Sequence, residues 1–269
     1  MINKYFLAFF LATALVGCGG GGEDLSANMD GSANGTSGGS TTNQSAEGLW
    51  SGVITKRDAT DGMPTAGIVL SSGEYYFATG TNYTSLIVGK GSTSGSTFKS
   101  LNAFSPDKSV GFTEGTITGA VTTQKQLKPE LKNTAGENVA SGELTYLTSY
   151  NKTPNLDLLY GNKYSNVANS GNTFNLEKKD EGKFEFLYGD CFYSGTLATI
   201  TDSKNYYALS LGIANKPYSI CSNATEIKNP IKGYAFIKES SDKNLYLYLI
   251  GININNSSWF SGAFKQTPL

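Results

Sequence analysis

The 269-residue chain carries 21 Lys+Arg against 22 Asp+Glu, a formal net charge of -1, with 16% of residues charged and no histidine. That balance provides no basic footprint for nucleic acid, and the missing imidazole removes Ser-His-Asp and Cys-His catalysis together with the commonest metal ligand. The 32 Gly, 16 Tyr and 14 Phe beside only 7 Pro favour many short strands joined by tight turns, and neither a cofactor, a metal nor a nucleic-acid partner is expected.

Lys4 is the lone charge ahead of an apolar run from Tyr5 to Val16, the layout of a secretory leader. A run of about a dozen residues is shorter than the roughly 20 that a spanning helix needs. An ordinary buried N-terminal helix is the competing reading, but Gly19 to Gly22 would leave such a helix with nothing to pack against. Leu15-Val16-Gly17-Cys18 resembles the lipobox of bacterial lipoproteins. The resemblance implies removal of residues 1–17, acylation of Cys18 and attachment to a membrane through several acyl chains, which anchor firmly where one chain binds only marginally. Gly19 in place of Asp after the cysteine implies sorting to the outer membrane, on its periplasmic face or at the cell surface.

With Cys18 committed to lipid, Cys191 and Cys221 remain. In an oxidising compartment they read as a structural disulfide, which would stabilise the fold by about 3 to 4 kcal/mol on the chain-entropy account. A redox or metal site is the alternative reading of the pair, although two cysteines without histidine fall short of a usual zinc set.

Residues 18–46 are Gly, Ser, Thr, Asn and Ala with hardly an apolar side chain, and so read as a tether spanning roughly 25 to 35 Å. Polyglycine directly after the lipidated cysteine is similar to the tethers of surface-exposed Gram-negative lipoproteins such as transferrin-binding protein B. About 220 residues remain, enough for one large all-β domain or two small ones.

Structure is expected to begin at Glu47, with strands over Gly48–Ile54, Ala66–Leu70 and Glu74–Ala78, then Ser85–Val88, Thr97–Leu101, Val110–Thr122 and Val139–Tyr146. The polar stretch Gln124–Ala135 reads as a long exposed loop. Thr153 as cap, Pro154 as first residue and Gly161 as stop delimit one short helix near 154–160. Beyond it period-2 alternation is clearest: Phe174 and Leu176, a turn at Asp180-Glu181-Gly182, then Phe184, Phe186 and Tyr188. Hairpins Phe192–Thr201 with Tyr206–Ile213, and Ile231–Lys238 with Leu245–Ile254, precede a final strand Trp259–Lys265. The expected fold is all-β: antiparallel meander strands forming one or two barrel- or sandwich-like units, divided as 47–147 and 148–269. Leu245 to Ile250 is apolar on both strand faces, so its second face should meet another layer, a ligand or a partner; paired Tyr75-Tyr76 and Tyr206-Tyr207 read as buried tyrosines.

Trp50-Ser51-Gly52, Tyr193-Ser194-Gly195 and Phe260-Ser261-Gly262 share an aromatic two positions before a glycine, where glycine leaves room for a neighbouring ring or marks a bulge. With Gly48-Leu49-Trp50-Ser51-Gly52 and the run Thr153 to Tyr164, the chain resembles a loose group of uncharacterised β-rich Gram-negative envelope lipoproteins. The resemblance covers most of 47–269 and implies no activity.

Ser96-Thr97-Phe98-Lys99 matches the short S-x-x-K pattern of serine β-lactamases, as does Ser105-Pro106-Asp107-Lys108, but neither companion motif occurs and a hairpin is the wrong setting. Asp58, Asp61, Glu74, Glu143, Glu185 and Asp190 could supply paired carboxylates, the one common hydrolytic device that needs no histidine. Asp58-Ala59-Thr60-Asp61-Gly62 lacks the ligand spacing of a calcium loop. The expectation is therefore a non-enzymatic envelope lipoprotein that binds a small apolar ligand or a protein, with a structural or assembly role, or a histidine-free hydrolase, as alternatives.

Overall fold

The computed structural model describes residues 44–188, 191–200, 204–214, 230–253, 255 and 258–268. Two antiparallel meanders follow one another along the chain. The first comprises β1 (Gly48–Lys56), β2 (Met63–Val69), β3 (Glu74–Thr79), β4 (Ser85–Ser94), β5 (Thr97–Phe104), β6 (Glu114–Thr122), β7 (Gln126–Asn133) and β8 (Asn138–Tyr146). Each strand pairs with the next, and β8 returns to β1 through pairs such as Gly52 with Leu144, closing a barrel that has no edge. The second comprises β9 (Asn162–Asn166), β10 (Thr173–Leu176), β11 (Lys183–Tyr188), β12 (Cys191–Thr199), β13 (Tyr207–Ile213), β14 (Ile231–Glu239), β15 (Leu245–Ile252) and β16 (Trp259–Pro268). Its hydrogen-bonded order is β10-β9-β16-β15-β14-β13-β12-β11, so β9 closes on β16 while β10 and β11 end the sheet. The fold is all-β with two eight-stranded antiparallel sheets.

Alternation makes these strands. In β6, Gly115, Ile117, Gly119 and Val121 are buried while Glu114, Ala120 and Thr122 are exposed. The expected loop over Gln124–Ala135 is instead largely β7, in which Leu127, Pro129 and Leu131 turn inward and Lys128 and Glu130 outward. The ladder from β7 to β8 skips Lys128 and Pro129, where proline has no N–H to offer. The Lys128–Glu143 ion pair at 3.7 Å spans that gap. The expected strand from Val110 begins at Glu114, because Lys108 and Gly111, at φ 56° and 97°, turn the chain first. The short helix near 154–160 is a single 3-10 turn, Leu156–Leu158, capped by the Asn155 side chain rather than by Thr153. Two turns without strong packing do not sustain an α-helix.

The first barrel is filled. Trp50, Ile54, Tyr75, Phe98 and Leu131 are buried in its core cluster. The polar atoms that go with them are paired: Trp50 Nε1–H donates to the Ala46 carbonyl at 2.8 Å, Tyr75 and Ser100 hydroxyls meet at 2.9 Å, and Thr65 and Thr79 hydroxyls at 2.9 Å. The second sheet encloses an aromatic stack. Phe174 lies 4.7 Å from Phe184, 5.0 Å from Tyr164 and 5.1 Å from Phe264, centroid to centroid. Gly195 makes room for it: a Cβ there would collide with Phe184 and stand 2.7 Å from Leu211 Cδ2. Gly195→Ala should therefore cost about 1–3 kcal/mol by overpacking, read as a lower urea midpoint; an unchanged midpoint would mean that the ring has free space.

The two sheets meet through outer faces. In β15, Leu247 and Leu249 face the second interior while Tyr248 and Ile250 join the cluster of the first barrel. The second apolar face of Leu245–Ile250 thus meets another layer, the outside of β3 and the turn that follows it. Tyr83 stands edge-on to Tyr248 at 5.0 Å, Phe236 stacks on Tyr248 at 5.0 Å, and Tyr76 meets Tyr234 at 5.2 Å. Ser261 Oγ–H donates to the Tyr83 carbonyl at 2.7 Å across the junction.

Candidate functional site

Described contacts begin at Gln44, ahead of the first structured residue expected from the sequence. Gln44 N–H donates to the Gly95 carbonyl, and its side-chain oxygen accepts from Thr123 N–H, each at 2.8 Å. The link between the sheets is fastened at the same end. Tyr150 donates its hydroxyl to Glu47 at 2.8 Å, its ring lies parallel to Tyr206 at 6.0 Å, and the Lys204 ammonium sits 5.1 Å from the Tyr150 centroid.

With both interiors occupied, open space lies outside. A concavity of about 820 Å³ crosses the outer face of β11, β12 and β13. Register explains it: Glu185 pairs with Ser194 and Ser194 with Gly212, while Lys183 pairs with Thr196 and Thr196 with Ser210. Side chains on one face alternate by two, and here that face carries the small residues Ser194, Thr196, Ser210 and Gly212. They form the floor. Asn175 of β10, Asp180, Glu181 and Lys183 stand at one margin and Pro230 at another. Hydroxyls, an amide, carboxylates and one ammonium can hydrogen-bond a polar chain. A second groove of about 600 Å³ lies beside a bulge in β5 that turns Leu101 to solvent, 71% exposed.

The residues singled out in the sequence do not converge. Ser96 and Lys99 are both exposed, Ser96 in the β4–β5 turn and Lys99 on β5. Ser105 is buried and donates to Asp107 at 3.2 Å in the loop after β5. Asp58 and Asp61 lie exposed between β1 and β2, Glu74 opens β3 opposite Lys90, and Glu143 sits on the outer wall of β8. Glu185 faces outward on β11, and Asp190 lies outside the described residues. Among the described residues no three His, Cys, Asp or Glu side chains gather as a metal cage. Cys191 begins β12 and is half-buried; Cys18 and Cys221 lie outside the described residues. Sequence reading missed the groove floor, for which Ser194 and Ser210 at alternate positions of neighbouring strands were the available signal.

The tyrosines between the sheets and Tyr75 inside the first barrel are electrostatically distinctive. Burial pushes the Tyr76 hydroxyl up to about 12, with Tyr234 and Glu74 adding to the effect. Burial likewise raises Tyr248 and Tyr75, the Ser100 hydrogen bond opposing it at Tyr75. A raised folded value means that the unfolded chain ionises first: stability is fully present below pH 10, the ordinary tyrosine value, and is lost as pH climbs towards 12. Alkaline titration should show tyrosinate absorbance and loss of the strand circular-dichroism signal arriving together in that window. Full ionisation near pH 10 with the fold intact would contradict the burial.

No protein-family model matches this chain, and no curated protein matches it.

Proposed function

We propose that the chain is a cell-envelope lipoprotein, anchored to the outer membrane through acylated Cys18, whose two-sheet body is a non-enzymatic binding module. The observation that supports this reading best is where the side chains go. Trp50, Tyr75 and Phe98 fill the first barrel and Phe174, Phe184 and Phe264 the interior of the second sheet, so recognition falls to the outer walls, and a macromolecular partner suits them better than a small apolar ligand. In the same reading Cys191 pairs with Cys221 and clips the chain after β13 to the start of β12.

A structural or assembly role is the second reading, favoured by one feature: among the described residues β10 and β11 end their sheet, each laddered on one side only, to β9 and to β12, and sheet ends are where pairing with another chain occurs. The test of the first reading is protease shaving of intact cells carrying the wild type or Cys18→Ala, with mass spectrometry of what copurifies. Wild type should fractionate with the outer membrane and start at residue 18, and Cys18→Ala should be released. A wild-type protein that floats free with an unmodified Cys18 would end the lipoprotein reading.

A further inference from the structure

Register gathers positive charge on one part of the second sheet's outer face. Lys238 of β14 pairs with Tyr246 of β15, Tyr246 with Lys265 of β16, and Lys265 with Ser165 of β9. Residues directly opposite one another across strands share a face of the sheet. Their chain neighbours Ile237, Leu247 and Phe264 point into the second interior, so Lys238, Tyr246 and Lys265 point out. Two residues along the same strands lie Phe236, Tyr248 and Ala263, which pack with the first barrel, Tyr83 standing over Tyr248. The lysine row therefore borders the junction, and Lys238, Tyr246, Lys265 and Ser165 are each half-buried. Lys163 stands exposed on the same face, two residues before Ser165.

These lysines have no counter-charge at hand. Among the described residues no carboxylate stands within ion-pair reach of Lys238, Lys265 or Lys163. The acids of the nearby β14–β15 turn are engaged, Glu239 with the Lys243 ammonium at 3.0 Å and Asp242 with the Ser240 hydroxyl and the Asn244 amide. Burial pulls the Lys238 amine below the ordinary lysine value, with no opposing influence. A cation held partly out of water is costly unless an anion meets it.

We propose that Lys238, Tyr246 and Lys265 form an anion site that takes the phosphate group of a phosphate ester, carried on a lipid headgroup or on a soluble molecule. Neighbouring strands lie about 4.8 Å apart, which sets the backbones of the two lysines about 10 Å from one another with Tyr246 midway. Their long flexible stems bring both ammoniums onto one group above the ring. A phosphate monoester carries a charge of about −1.5 to −2 at pH 7, which two ammoniums match and which a single carboxylate does not supply. The Tyr246 hydroxyl donates to a phosphate oxygen, and Lys163 strengthens the field that draws the anion in. The proposal rests on the binding-module reading and gives it a ligand class; its test uses purified protein, so it fails or succeeds separately from lipidation.

The full chain carrying Cys18→Ala serves throughout, so that no acyl chain contributes to binding. The probes are inorganic phosphate, glucose 6-phosphate, and vesicles of phosphatidylcholine with and without phosphatidic acid. Amide resonances of Lys238, Tyr246 and Lys265 should shift saturably with at least one phosphate probe. Lys265→Gln should weaken that binding about fivefold or more, whereas Lys128→Gln, on β7 of the first barrel, should leave it unchanged. Lys238→Met removes an uncompensated cation, so the variant should melt no lower than the parent; phosphate should raise the melting temperature of the parent and not of the variant. If Lys238→Met fails to fold, Lys265→Gln carries the test. Binding to phosphatidic acid vesicles alone assigns the phosphate to a headgroup, and binding of the soluble probes alone assigns it to a soluble ester; both support the site. No saturable shift with any probe, a footprint elsewhere on the chain, or an equal loss in Lys128→Gln would overturn the proposal, while leaving membrane anchoring and copurifying partners to their own test.

Discussion

Trp50→Ala should lower stability by about 3–5 kcal/mol, a large share of the 5–15 kcal/mol typical of whole proteins. Trp50 is fully buried inside the first barrel, packs edge-on against Tyr146 at 5.5 Å, and its indole N–H is held by the Ala46 carbonyl. Truncation leaves a cavity where β1 closes on β8, and it strands an acceptor in the segment that seals the barrel end. Urea unfolding should show the loss as a lower midpoint with an unchanged slope. A loss under about 1 kcal/mol would mean that the barrel can collapse around the gap, which a fully packed interior does not allow.

Tyr248→Ala should have an effect of similar size and a different character. Tyr248 is buried between the sheets, sandwiched by Phe236 and Tyr83, so its removal costs about 3–5 kcal/mol drawn from the junction rather than from either interior. Thermal unfolding of the variant should separate into two steps, the second sheet melting apart from the first barrel. Tyr248→Phe keeps the ring and should lose far less. If Tyr248→Ala still unfolds in one step at the wild-type temperature, the junction is not what couples the halves.

How far the sequence carried can be judged strand by strand. The strands of Phe174, Leu176, Phe184 and Phe186 were plain because apolar residues alternate cleanly on either side of a turn where Glu181 and Gly182 take φ values of 49° and 81°, although β10 pairs with β9 and β11 with β12 rather than with each other. β7 was hidden by its charges: Lys128, Glu130 and Lys132 made a half-buried strand look like a loop, although Leu127 and Leu131 kept the period. Thr153-Pro154 suggested the start of a helix that does not form: the chain makes one 3-10 turn, Leu156–Leu158, capped by Asn155 instead. The apolar character of both faces of β15 announced a second layer without naming it, since the partner strand β3 lies more than 150 residues earlier in the chain. Shared Trp-Ser-Gly, Tyr-Ser-Gly and Phe-Ser-Gly patterns proved to have different causes. Gly195 yields to the ring of Phe184, whereas a side chain at Gly52 would strike the Glu143 carbonyl of the neighbouring strand.

The candidate site was less legible. An outer groove floored by Ser194, Thr196, Ser210 and Gly212 depends on register between strands, which period-2 alternation alone leaves open. That β10 and β11 end their sheet depends on where the curl of the second sheet stops, a property of all eight strands together and of no short stretch. Cys191 and the outward carboxylates were visible as residue types, but spacing along the chain could not say that Asp58, Glu74, Glu143 and Glu185 lie on separate strands and loops.

Scanning calorimetry of the wild-type chain, followed alongside by tryptophan fluorescence and far-ultraviolet circular dichroism, tests most directly whether two filled sheets behave as one body locked by tyrosines. A single transition, coincident in all three signals and with calorimetric and van't Hoff enthalpies equal, is the result expected. Two resolved transitions, with the fluorescence of buried Trp50 in a Trp259→Phe background changing in only one of them, would contradict it.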